Sequence, residues 1–280
     1  MKEIHTDNIT RVVARLCIEA NTCLPGRLRV ALAEARKQET SELAGSVLDA
    51  LAENADIARE ENIPICQDTG MTVVFLAIGQ DISIKGCSLE AAVNEGVRIG
   101  YQEGFLRKSI VLDPIKRENS RDNTPAVIHS RIVPGDSLEI TVAPKGFGSE
   151  NMSGLAMLKP SQGLGGIEDF VVETVKKAGA NPCPPIVVGV GVGGTMEKAT
   201  LMSKEALLRE IGGLNPDPAW SKVENRLLER VNALNIGPAG FGGKTTALAV
   251  NILTYPTHIA GLPVAVNIGC HATRHKSAML

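Results

Sequence analysis

Hydrophobic positions near the start of the chain recur with a helical period. Ile9, Val12, Val13 and Leu16 share one face, Leu43, Val47, Leu48 and Leu51 share another, and Ser41 stands where an N-cap is expected. Ile63-Pro64-Ile65-Cys66-Gln67-Asp68-Thr69-Gly70 breaks that pattern and reads as a loop, and the run MTVVFLAIG after it has the length and branching of a strand. A second helical stretch covers 89–105. Residues 126–133 and 137–142 flank Pro134-Gly135-Asp136, which predicts a β-hairpin, and KGFGSEN over 145–151 reads as a glycine-rich loop. Beyond it the pattern gives helices over 167–178, 196–211 and 219–235, and strands over 186–190, 245–253 and 262–268. The expected fold class is mixed α/β. One unit spans 1–280, with a helical N-terminal subdomain over 1–62 packed on mixed β-sheet layers with flanking helices over 63–280.

Composition narrows the function classes. With 44% hydrophobic residues over 280 positions the chain can bury a sizeable core, and only 3% are aromatic, so that core must be aliphatic. A formal net charge of −2 with scattered basic residues gives no electrostatic footprint for nucleic acid or an anionic membrane. No apolar run approaches the roughly 20 residues that span a bilayer. The opening MKEIHTDNITRVVARLC lacks the regions of a secretory signal, so a cytoplasmic protein is expected. Six cysteines in that compartment are packing residues or metal ligands rather than a disulfide framework.

Two glycine motifs suggest nucleotides and fall short. Gly189, Gly191 and Gly194 satisfy GxGxxG between a strand and a helix, but the acidic partner, Glu210, lies in a helical run instead of at the end of a second strand. Gly237-Pro-Ala-Gly-Phe-Gly-Gly-Lys244-Thr245 is out of register with a phosphate loop by one residue. Its glycines and Lys244 fit a backbone nest for a small anion or a cluster, or else a plain tight turn.

Three cysteines end apolar segments beside Pro or Gly turns: Cys66 in ICQD, Cys183 in NPCPP and Cys270 in IGCH. Their spacing matches no local finger or ferredoxin run, and residue type alone leaves simple packing open for each. Cys17, Cys23 and Cys87 lie in helical or surface-like contexts.

In order along the chain, CQDTG, KGFGSEN, CPPIVVGVGVGGT, GFGGKTT and GLPVAVNIGCHATRH resemble the successive motifs of the class I fumarase and tartrate dehydratase family. The resemblance runs from about Ile63 to the end of the chain. It implies a hydro-lyase holding a 4Fe-4S cluster on Cys66, Cys183 and Cys270, with one iron left open as a Lewis acid. It also implies a substrate shell of Gln67, Arg107 and Gly148, with Asp68 and His258 as catalytic groups. Arg107 can grip a carboxylate with two parallel hydrogen bonds, and Gly148 lets a backbone N–H approach. A solvated arginine, an Asx-turn aspartate and a surface histidine are the plainer readings of Arg107, Asp68 and His258.

Single-chain members of the family carry a second domain that completes the substrate site. This chain stops ten residues after Cys270 and so resembles the alpha subunit of the split form, implying a separate beta subunit in an alpha2beta2 assembly. Phe241-Gly242-Gly243-Lys244-Thr245 and KGFGSEN are more similar to the fumarase branch, so fumarate/(S)-malate is the expected substrate pair and L(+)-tartrate the alternative. A nucleotide-dependent oxidoreductase and a redox cluster protein are the more distant readings.

Overall fold

The computed structural model describes residues 2–280. From the N-terminus the elements are β1 (Lys2–His5), α1 (Thr6–Thr22), α2 (Gly26–Gln38), α3 (Glu42–Glu60), β2 (Met71–Gly79), β3 (Ile82–Lys85) and α4 (Leu89–Glu103). Next come β4 (Val127–Val133), β5 (Leu138–Lys145), one helical turn α5 (Phe147–Glu150), β6 (Gly154–Leu158) and α6 (Gly163–Ala178). The remainder is β7 (Ile186–Gly193), α7 (Met196–Ala206), α8 (Pro218–Asn232), β8 (Ala247–Tyr255), β9 (Leu262–Gly269) and β10 (Lys276–Met279). The fold is mixed α/β.

The described chain divides into two compact units, both discontinuous in sequence. The first comprises residues 2–25, Asn54–Phe147 and Arg274–Leu280, and the second Gly26–Glu53 and Gly148–Thr273. The helices expected over 1–62 are present, but the two units share them: α1 belongs to the first and α2 to the second. Ser41 caps α3 as expected, its hydroxyl accepting from the Ala44 N–H at 3.3 Å.

In the first unit, Ile9, Val13 and Leu16 of α1 pack with Val93, Val97 and Tyr101 of α4 against Val74 and Leu76 of β2 and Ile140 and Val142 of β5. The sheet order is β10-β5-β2-β4, which corrects the expected hairpin. β4 and β5 do not pair; β2 lies between them, parallel to β4 and antiparallel to β5. The reason is burial: β2 is apolar on both faces and needs two neighbours, whereas β4 has mostly half-buried and exposed positions suited to an edge. The Pro134-Gly135-Asp136 turn instead closes over the end of β2, with Gly79 N–H donating to Ser137 O at 2.9 Å and Asp81 N–H to Gly135 O at 3.0 Å.

The second unit is built on the sheet β6-β9-β7-β8. Alternation along β7 sends Val188, Val190 and Val192 to one face, where they pack with Val171 and Val175 of α6 and Val223, Leu227 and Val231 of α8. On the other face, a Cβ at Gly189 or Gly191 would stand 2.1 Å from Ser203 O or 2.0 Å from Ala199 O, so these glycines let α7 lie directly on the strand. The GxGxxG pattern is thus a helix-packing device here. Glu210 is no ribose ligand either; it lies beyond the end of α7 and pairs with Arg27 at 3.3 Å.

Among the described residues, no helix is long and apolar enough to cross a membrane.

Candidate active site

The CQDTG loop of the first unit is fastened at Ile65, Asp68, Thr69 and Gly70. Ile65 N–H donates to Asn21 O at 2.9 Å, and the Asn54 amide donates to Ile65 O at 2.9 Å. The buried phenol of Tyr101 reaches Thr69 O at 2.8 Å and Gly70 O at 3.0 Å. Cys66 is half-buried and Gln67 exposed, and the thiol lies 3.4 Å from Gln67 Oε1. Asp68 is the centre of the loop: Oδ1 accepts from Gly70 N–H at 3.0 Å, Oδ2 from Phe147 N–H at 2.8 Å, and its carbonyl from Arg274 Nη2 at 2.5 Å. The carboxylate therefore makes the Asx turn anticipated for it and also anchors the KGFG segment; a carboxylate has further lone pairs for a bound hydroxyl or proton. Arg107 is exposed, and its carbonyl accepts from the Thr69 hydroxyl at 3.0 Å, which joins it to the same loop.

In the second unit, Cys183 and Cys270 meet at one end of the sheet. Cys183 precedes β7 and Cys270 follows β9, and these strands run antiparallel with Val187 opposite Gly269. His271 closes the pair: its N–H donates to Cys183 O at 3.2 Å, and its Nδ1 lies 3.1 Å from the same oxygen. Gly148 is exposed in α5, and a Cβ there would meet only Asn181 O at 3.6 Å, two residues from Cys183. The GPAGFGGK loop packs on the same end through Ala239 N–H to Pro184 O at 2.8 Å.

That loop holds an anion, but one belonging to the chain. Glu39, 8% exposed, accepts from the N–H groups of Thr40 at 2.8 Å, Ser41 at 3.0 Å and Lys244 at 2.8 Å. Burial pushes the Glu39 carboxyl up, but these donors and the Lys244 charge outweigh it and hold it below the ordinary range. At Gly243, φ is 112° and a Cβ would stand 2.7 Å from Glu39 Oε2, so only glycine permits the approach.

His258 lies away from this end of the sheet. It lies in the turn between β8 and β9, with Nδ1 accepting from Ala260 N–H at 3.2 Å, beyond the Gly193 and Tyr255 end of the sheet. The length of β9 separates it from Cys270, roughly 20 Å or more at ~3.3 Å per residue. There it borders a cavity of about 600 Å³ lined mainly by apolar residues including Leu164, Trp220, Val223 and Ile259.

A profile of the family described as Fumarate hydratase (Fumerase) matches residues 10–279. The chain belongs to this family. Among its relatives, a protein of Methanocaldococcus jannaschii provisionally named L(+)-tartrate dehydratase subunit alpha is 44% identical over 272 residues, 95% of each chain. The L(+)-tartrate dehydratase subunit alpha of Escherichia coli strain UTI89 is 31% identical over 276 residues, 98% of this chain and 91% of its own. That of strain K12 is 30% identical over 282 residues, 100% and 93% respectively. The membership makes the chain a component of a hydro-lyase.

Of the six cysteines of this family member, burial sets Cys17 apart. Burial pushes the Cys17 thiol up to about 12, so it stays protonated and cannot serve as a thiolate ligand. Cys66, Cys183 and Cys270 form no disulfide and stand at turns with at least partial exposure, as thiolate ligands of an iron–sulfur cluster would. Among the described residues no three His, Cys, Asp or Glu side chains gather around a single metal ion.

Sequence reading missed Glu39, Thr69, Asn123 and His271. Glu39 immediately before the Thr40-Ser41 start of α3 was a readable signal for an N-terminal anion, but its partner in the glycine loop is 205 residues away.

Proposed function

We propose that this chain is the alpha subunit of an iron–sulfur L(+)-tartrate dehydratase. The carrying observation is the 44% identity over 95% of both chains to a relative bearing that name, joined by those from Escherichia coli. This reverses the preference drawn from the FGGKT and KGFGSEN motifs, which favoured fumarate. Fumarate/(S)-malate remains the second reading, because the family profile carries that activity's name.

Removal of water from tartrate breaks a C–H bond and the neighbouring C–OH bond, and the enol produced becomes a 2-oxo dicarboxylate. In this reading Cys66, Cys183 and Cys270 would hold a 4Fe-4S cluster, which would supply a Lewis acid for the departing hydroxyl. Arg107 binds a substrate carboxylate in bidentate fashion, and Gln67 and the Gly148 N–H bind the remaining oxygens. Asp68, fixed by two backbone donors, orients the hydroxyl or exchanges a proton with it. A separate beta subunit supplies the rest of the site, consistent with an alpha2beta2 assembly.

The test is anaerobic co-purification with the partner subunit and comparison of kcat/KM for L(+)-tartrate and (S)-malate. A preference for tartrate of about tenfold or more, ~1.4 kcal/mol in transition-state binding, supports the reading. A preference of that size for malate moves the chain to the fumarate branch, and full turnover by this chain alone removes the need for beta.

A further inference from the structure

The structure of the first unit singles out a residue that no motif indicated. Asn123 is completely buried at a positive φ of 65°, a region that asparagine tolerates better than most side chains. Its Oδ1 accepts from Ser109 N–H at 2.7 Å and its Nδ2 donates to Gly70 O at 3.2 Å, so one amide joins the Arg107 segment to the CQDTG loop. The orientation of the amide follows from its partners, since an N–H needs an acceptor and a carbonyl a donor. A second tie runs beside it, from the Thr69 hydroxyl to Arg107 O at 3.0 Å. Arg107 itself is exposed, so the backbone that carries it has a large part in setting where the guanidinium stands.

We propose that Asn123 and Thr69 are positioning residues for Arg107: their two hydrogen bonds hold the backbone on either side of residue 108 against the Cys66–Gly70 loop and so aim the guanidinium at the substrate carboxylate. A carboxylate clamp depends on the fixed fork geometry of the guanidinium, and misplacement of about 1 Å is costly to a bidentate contact. Tyr101 and Asn123 both bond Gly70 O, which keeps the loop side of the clamp rigid while Asn123 and Thr69 carry the Arg107 side. The proposal rests on the reading of Arg107 as a carboxylate-binding residue.

Asn123→Gly removes the amide without straining the positive φ, Thr69→Val removes the hydroxyl at nearly constant volume, and Thr69→Ser retains it. Each is made in the alpha–beta complex and assayed with L(+)-tartrate and (S)-malate, alongside iron per chain and hydrogen exchange at the Ser109 amide. The expected result is a rise in KM of about tenfold in Asn123→Gly and Thr69→Val, a much smaller change in kcat, unchanged iron and near-normal KM in Thr69→Ser. The Ser109 amide should exchange faster in Asn123→Gly. In an Arg107→Ala background, Asn123→Gly should add less than about twofold to KM, because residues acting through one contact are not additive. If Arg107→Ala raises KM while Asn123→Gly and Thr69→Val do not, or if the two effects multiply, the positioning role is overturned and the reading of Arg107 stands. If Arg107→Ala leaves KM unchanged for both substrates, the reading of Arg107 fails, and the positioning role with it.

Discussion

The two ends of the β6-β9-β7-β8 sheet share the same strands and differ in nearly everything else. At the end where β7 begins and β9 finishes, the connections are turns cross-tied by backbone groups: Cys183 O receives His271, Pro184 O receives Ala239, and the Glu39 carboxylate receives three N–H groups. At the opposite end, the β8–β9 turn is exposed at every residue from 254 to 260 and borders an apolar cavity of about 600 Å³. A strand core fixes both ends equally well, so the difference between them lies in the fastening of their loops.

The largest expected effect that sharpens this contrast is at the thiols. Cys183→Ser or Cys270→Ser should lower iron and sulfide per chain and reduce turnover by at least about a hundredfold, checked by iron and sulfide analysis and anaerobic assay. Retention of iron by both variants would break the comparison.

Next comes the internal carboxylate. Glu39→Gln should destabilise the protein by about 1.5–3 kcal/mol near neutral pH, since charged hydrogen bonds from three part-buried N–H groups are lost. Because Glu39 titrates below its ordinary 4.5 in the folded chain, its contribution is present above that value and disappears as pH falls through the lower, folded one. Denaturant titrations from pH 7 to pH 3 should therefore show the gap between wild type and variant closing on the acid side. A gap that is constant with pH would mean the carboxylate charge is not what holds the GFGGK loop.

A smaller loss is expected for His271→Ala. The ring contact to Cys183 O disappears while the backbone N–H to the same oxygen remains, so stability should fall by only about 0.5–1.5 kcal/mol. Thermal melts of the cluster-free chain would measure it.

The smallest effect belongs to the other end. His258→Ala removes one acceptor for Ala260 N–H in an exposed turn, and should change stability by less than about 1 kcal/mol, with iron content untouched and turnover within a few-fold. A hundredfold loss of turnover with full iron would show that another chain completes a site around His258, and the contrast between the ends would have to be redrawn.

Much of the elements' layout was readable because it is written in local patterns. The β2, β7 and β9 runs are apolar and β-branched and α4 and α6 follow the helical period; β2, β9 and α4 lie within two residues of their expected limits, while α6 begins earlier, at Gly163, and β7 runs on to Gly193. The helices expected over 196–211 and 219–235 end earlier, at Ala206 and Asn232. The short strands β1, β3, β6 and β10 left no periodic trace, being four or five residues long and paired at sheet margins. At the candidate site, Gln67, Asp68 and Arg107 fall together in the first unit, and Gly148, Cys183 and Cys270 in the second. His258 does not join them, because a separation of 12 residues that includes a whole strand carries the chain from one end of a sheet to the other.

By itself, then, the sequence determined the longer helices and strands and the tight turns between them, which cysteines stand at turns, and the motif order that marks the family. These follow from propensity, period and the special backbone needs of Gly and Pro, all set within a few residues. Tertiary structure alone decided that β2 enters between β4 and β5, that Gly189 and Gly191 seat a helix instead of a dinucleotide, that Glu39 occupies the anion nest, and that Asn123 ties Ser109 to Gly70. Each of these depends on which distant surfaces are buried together and which buried donors then require an acceptor, and that choice is made by the packed chain as a whole.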